Sequence, residues 1–194
     1  MRKTIDTNKL GFTFFNLGSF FLSSALPISA LFFLVSICFS FFKEKYVLIK
    51  DKYNLLLLIC GGLMVLKNLS IFISESLSNS EDEFTILVDL VNWIPFFFLF
   101  VFFQKYLITI RQRRIFSKVL IIGSFPVFIS CILQYWLNVY GPFETMNGLI
   151  VWFQKPIEEN HGGVTGLFNN QNYTGLWLTA ILPFLIAEFR LSIK

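Results

Sequence analysis

Charge is scarce in this chain: 14% of its 194 residues are Asp, Glu, Lys or Arg, against 55% hydrophobic. Soluble domains carry about 25% charged residues, so a water-soluble globule is excluded as the starting expectation. The period-two alternation of outer-membrane strands is missing too, which sets aside a β-barrel. Cysteine is limited to Cys38, Cys60 and Cys131, each inside an apolar run. An odd set so placed makes no disulfide framework and no metal site, and reads as small packing residues. Histidine is reduced to His161.

Long apolar runs fill the chain and predict an all-α, polytopic helical membrane protein with about six transmembrane helices in a single domain, residues 1–194. The uncharged run from Leu10 to Phe42 would be about 50 Å long as one helix, against a hydrocarbon core of about 30 Å. Ser23, Ser24 and Pro27 interrupt it, so the expectation is a short hairpin of spans 10–24 and 27–42. A signal peptide cleaved after Ala25 is the alternative. Further spans are expected at 53–73, 84–103, 119–140 and 173–189, with outer loops at 74–83 and 141–172.

The distribution of charge orients this layout. Fourteen of the 16 Lys and Arg fall in 1–9, 43–52, 104–118 and 190–194, which six spans place on one face. The opposite face holds Lys155 with Glu75, Glu81, Asp82, Glu83, Glu144, Glu158 and Glu159. That asymmetry makes the basic face cytoplasmic, with both termini inside. Lys67 and Asp89 lie within spans, each about 9 Å below the outer surface. Either they pair between antiparallel neighbours, or each snorkels alone to the interface.

The polar, glycine-punctuated stretch from Gly162 to Tyr173 runs straight into the last span. That span enters from outside, so its N-terminus offers free N–H groups and a partial positive charge at the outer surface. Glycines let backbone approach a ligand and form anion-binding nests, and a phosphate at the membrane surface suits such a place. Asn169, Asn170 and Asn172 add amide donors and acceptors without charge. The plainer alternative is that Asn172 N-caps the span and the other asparagines form turns. His161 is a general base in type, without a visible partner. Lys155 either meets phosphate or anchors at the interface. The apolar segment Leu149–Phe153 either lies in the interface or shapes a lipid entry.

Thr165-Gly166-Leu167-Phe168-Asn169-Asn170-Gln171-Asn172-Tyr173, then Gly175-Leu176-Trp177-Leu178 and Leu182-Pro183-Phe184, resembles the membrane signature of the O-antigen ligase and polymerase-like family. That signature usually reads Thr-Gly-x-Phe-x-Asn-Pro-Asn, with an aromatic residue next and a Leu-Pro pair further on. Glutamine in the proline's place, as at Gln171, resembles cyanobacterial members. The match is specific over about 20 residues and covers roughly the N-terminal half of a family member.

The resemblance implies a glycosyltransferase of the bacterial inner membrane. It would take a glycan from a polyprenyl diphosphate carrier at the outer face in cell-surface polysaccharide assembly. Attack by an acceptor hydroxyl would release the diphosphate, with no cofactor, no metal and no nucleic acid. Thr165, Gly166, Asn169, Asn170 and Asn172 would shape the mouth where carrier and acceptor meet. Gly163 stands where many members have arginine. The family's outer loop with its catalytic arginine and histidine is expected beyond Lys194, so a second polypeptide is one way to complete the site. Stabilising a leaving diphosphate calls for positioned donors or cations, and the outer face offers seven carboxylates against one lysine. The alternative function is small-anion transport of the bicarbonate type, which a subgroup of the superfamily implies, or a non-catalytic membrane subunit.

Overall fold

The computed structural model describes residues 7–76, 97, 99–155 and 163–193, and among these it is mostly helical. Helix α1 spans Thr7–Phe21 and α2 spans Leu26–Lys50, joined by a turn where Ser23 and Ser24 lie. Pro27 is the second residue of α2, where its missing N–H interrupts no ladder. The expected hairpin therefore forms. Ser29 and Ser36 of α2 donate to the carbonyls of Gly18 and Gly11 at 2.7 and 2.9 Å. A Cβ on Gly18 would stand 2.6 Å from the Phe33 ring, so the absent side chain sets how closely the two helices approach.

Two expected loops are corrected. Residues 43–50 belong to α2, and the chain breaks only at Asp51 before α3, Lys52–Ser76. The Asp51 carboxylate accepts from the Tyr53 N–H at 2.9 Å. Lysine and glutamate are good helix formers, so clustered charge in 43–50 did not end the helix. Likewise 110–118 is helical, and the connection is confined to 104–109. A 3-10 turn at Gln104–Leu107 is followed by α4, Ile110–Gly123. Thr109 caps α4 with a capping box: its hydroxyl accepts from Gln112 N, and the Gln112 amide oxygen accepts from Thr109 N.

Internal packing divides the chain into two compact units, Met1–Ser36 with Tyr106–Lys194, and Ile37–Lys105. In the second unit, Gln104 Nε2 donates to the buried Asn54 Oδ1 at 2.6 Å, and Gly61 faces Phe97. Lys67 is exposed on α3. Its suggested partner Asp89 lies outside the described residues, as do 77–83 of the first outer loop and 84–96 of the fourth span.

In the first unit, the span expected at 119–140 is replaced by an apolar stretch, Ile110–Leu137, made of two helices. Ser124 separates α4 from α5, Phe125–Leu137, with Pro126 in the new first turn. Asn138, at φ 51, ends α5 in the left-handed conformation that asparagine tolerates. The loop at 141–172 contains an antiparallel hairpin, β1 Phe143–Thr145 and β2 Ile150–Trp152, which pattern alone had not indicated. The last helix, α6, spans Gln171–Ser192.

Phe15 stacks on Tyr106 and Phe116, and Phe116 meets Phe184 edge-on at 6.1 Å. Serines close the helix contacts. Ser23 Oγ donates to Gly123 O at 2.8 Å, and Trp177 Nε1 donates to Ser124 Oγ at 3.0 Å. A Cβ on Gly123 would lie 2.4 Å from Phe20 O, so α1 crosses α4 almost backbone to backbone.

Three stretches among the described residues are long and apolar enough to cross a membrane: Lys52–Ile71, Ile110–Leu137 and Gln171–Ser192; the apolar helix Leu26–Phe39 is shorter. Their large side chains, such as Leu63, Leu66, Ile122, Ile129, Leu176 and Leu182, are exposed. Apolar surface of that extent suits lipid better than water.

Candidate functional site

The polar turn before α6 is held by one side chain from α5. Gln134 is fully buried. Its Nε2 donates to Thr165 Oγ1 at 3.0 Å and to Gly166 O at 3.3 Å, while its Oε1 accepts from Gly166 N at 2.7 Å. The amide thus pairs with both backbone groups of Gly166, as a second peptide would. Thr165, also fully buried, donates from its hydroxyl to Gln154 O. Thr165 O accepts from Phe168 N at 2.9 Å and from the Thr174 hydroxyl of α6. The side-chain polar atoms of Gln134, Thr165 and Thr174 are all hydrogen-bonded, as burial requires.

Gly166 has φ +58, and a Cβ there would stand 3.2 Å from Cys131 Sγ and 3.3 Å from Ser130 Oγ. Backbone conformation and space both call for glycine. The positive φ at the first central residue of the 165–168 turn is that of a type II′ turn.

The expected site residues therefore divide. Thr165 and Gly166 are buried inside the knot and shape the turn. Asn170 is the N-cap of α6: at φ −145 its side chain accepts from Asn172 N at 2.8 Å. The cap is not Asn172, because the helix begins two residues earlier than expected, at Gln171. Asn169 and Asn172 are exposed, and among the described residues their side-chain amides hold no partner. Gln171 folds against Gly163, where a Cβ would lie 2.7 Å from Gln171 Oε1, a buried oxygen without a hydrogen bond. An arginine side chain at position 163 would collide with Gln171 as placed. His161 lies outside the described residues.

The hairpin lies beside this turn in sequence and is pinned at its second strand. Trp152 Nε1 donates to Ser24 O in the α1–α2 turn. Trp152 and Phe153 are thus partly covered by protein, whereas Leu149 is exposed. Along the hairpin runs an open groove of about 570 Å³ lined by Gly141, Pro142, Glu144, Val151, Gln154 and Lys155. Gln154 links groove and knot, since its carbonyl accepts a hydrogen bond from the Thr165 hydroxyl.

Gln134 is the residue that sequence reasoning undervalued. A single amide within an apolar helix is itself a signal, because it requires a partner once buried; the sequence did not say which. Chemically, the assembly offers two free amides and a helix N-terminus beside a rigid turn. Among the described residues, no three His, Cys, Asp or Glu side chains are grouped to hold a metal ion. No family model matches the chain, and neither a curated protein nor a solved structure matches it.

Proposed function

We propose that this chain is all or part of an O-antigen ligase/polymerase-like glycosyltransferase of the bacterial inner membrane. It has about six spans and cytoplasmic termini, and acts on polyprenyl diphosphate-linked glycans at the outer face. The observation that carries the reading is the turn at 165–172. The signature threonine and glycine are locked by Gln134, while Asn169 and Asn172 project unpaired at the head of α6. Neutral amides beside a helix N-terminus suit a diphosphate or sugar hydroxyls without opposing a negative ligand. The cations that would stabilise the leaving group come from elsewhere in the polypeptide or from a second one.

The test is genetic and chemical. Disrupting the gene in its host is expected to accumulate lipid-linked glycan in the membrane fraction. Restoring it as Asn169→Ala/Asn172→Ala is expected to leave that accumulation in place at normal protein level. Unchanged lipid-linked glycan after disruption would remove the reading.

A second reading, small-anion transport, draws on the broken apolar stretch at Ser124, since transporters bind ions at interrupted helices. Here Ser23 takes the Gly123 carbonyl and Trp177 takes the Ser124 hydroxyl, so the break is already filled. Bicarbonate uptake into proteoliposomes containing the protein would reverse that preference.

A further inference from the structure

The cations of α4 sit where helix electrostatics disfavour them. Arg111, Arg113, Arg114 and Lys118 are exposed along the first nine residues of a helix whose first turn carries no acid. A helix N-terminus is itself partly positive, so Arg111 and Arg113 in the first turn oppose the dipole. Among the described residues no carboxylate lies within ion-pair distance of any of the four, and Arg113 reaches only Ile108 O, at 3.5 Å. Arg111, Arg114 and Lys118 share one helix face through i, i+3 and i+7 spacing, with Ile115 among them.

Apolar side chains are interleaved with these cations. Ile108 and Ile110 are 69% and 72% exposed. The uncharged helical stretch from Val119 to Leu137 is about 28 Å long, close to the roughly 30 Å of a hydrocarbon core. It ends in exposed Tyr135 and Trp136, residues that favour the opposite interface. Residues 108–118 then fall at headgroup depth on the other side. Helix α6 runs antiparallel: Thr174 bonds at the level of Gln134, and Phe184 meets Phe116. Exposed Arg190 therefore lies toward the same end as the α4 cations.

We infer that this end of the unit is a binding surface for anionic phospholipid, with Arg111, Arg113 and Arg114 on headgroup phosphates and Ile108 and Ile110 at the acyl boundary. Charge and depth favour this occupant: among the described residues no carboxylate neutralises the four cations, and the adjoining stretch sets them at the phosphate layer. The inference does not depend on what the outer turn does.

Native mass spectrometry of the whole protein in detergent, offered equal phosphatidylglycerol and phosphatidylcholine, tests it. Phosphatidylglycerol is expected to be retained about tenfold or more over phosphatidylcholine, since each surface cation adds roughly a fivefold preference. Arg111→Gln/Arg113→Gln/Arg114→Gln is expected to abolish the preference, and the corresponding three Arg→Lys changes to keep it. Equal retention of both lipids by the native protein would overturn the proposal, as would full preference in the glutamine variant. Displacement of the lipid by excess inorganic phosphate would reassign the site to free anions. Should the glutamine variant not fold, the native protein's lipid ratio and its decline with added salt decide the matter.

Discussion

Gln134 does three things with one amide: it closes the Gly166 N–H, supports Gly166 O and orients the Thr165 hydroxyl. Gln134→Leu keeps the volume and strands these groups in a buried place. Since each unsatisfied group costs about 1–3 kcal/mol, a loss of roughly 2–4 kcal/mol is expected, read as a lower unfolding midpoint in detergent. Gly166→Ala is expected to cost about 1–2 kcal/mol from its left-handed backbone alone, with Cys131 Sγ crowding the new methyl. Gly123→Ala meets backbone rather than a yielding side chain, so α1 must move away from α4. The expected result is a weakened α1–α4 contact, measured as a lower unfolding midpoint in detergent. At this scale the sequence announced glycines and asparagines as important but not their tasks. The tasks of Thr165 and Gly166 depend on Gln134, about thirty residues upstream, and such pairing leaves no local pattern.

Helix boundaries show a different limit. The start of α6 separates two asparagines that look equivalent in sequence. Asn170→Ala is expected to cost about 1 kcal/mol by removing the cap, and Asn172→Ala almost nothing. Thermal unfolding of the two variants side by side distinguishes them, and the reverse order would move the helix start. The serine–proline interruption between α1 and α2 was legible because two independent signals, turn-forming serines and a first-turn proline, agree there. The ends at 43–50 and 104–118 were read from charge instead. Charge reports where a segment sits relative to lipid, whereas helices end through caps and breakers. Asp51 and Thr109 were the residues to read. The hairpin at 143–152 is too short for alternation to be seen.

For the whole molecule, composition made the helical class and the apolar stretches legible, because burying backbone in lipid leaves few architectures. Contacts within the first unit also order the charges by depth: α4 and α6 are antiparallel, with their cations toward one end and Glu144 and Lys155 on the loop joining α5 to α6. Single cysteines at Glu144 and Ser192, placed in a background lacking Cys38, Cys60 and Cys131, test sidedness. An impermeant thiol reagent added to whole cells is expected to label the first and spare the second. Labelling of both, or of Ser192→Cys alone, would overturn the proposed six-span arrangement with cytoplasmic termini.

The bonds that close the α1–α2 turn impose an order on biosynthesis. Ser23 waits for a carbonyl 100 residues downstream, and Ser24 for an indole 128 residues downstream. At roughly 5–20 residues per second, the first hairpin leaves the ribosome several to some tens of seconds before either partner exists. During that interval its serine-bearing tip must be sheltered by water, by headgroups or by the insertion machinery. The α1–α2 turn thus cannot complete its bonds before residue 152 is made.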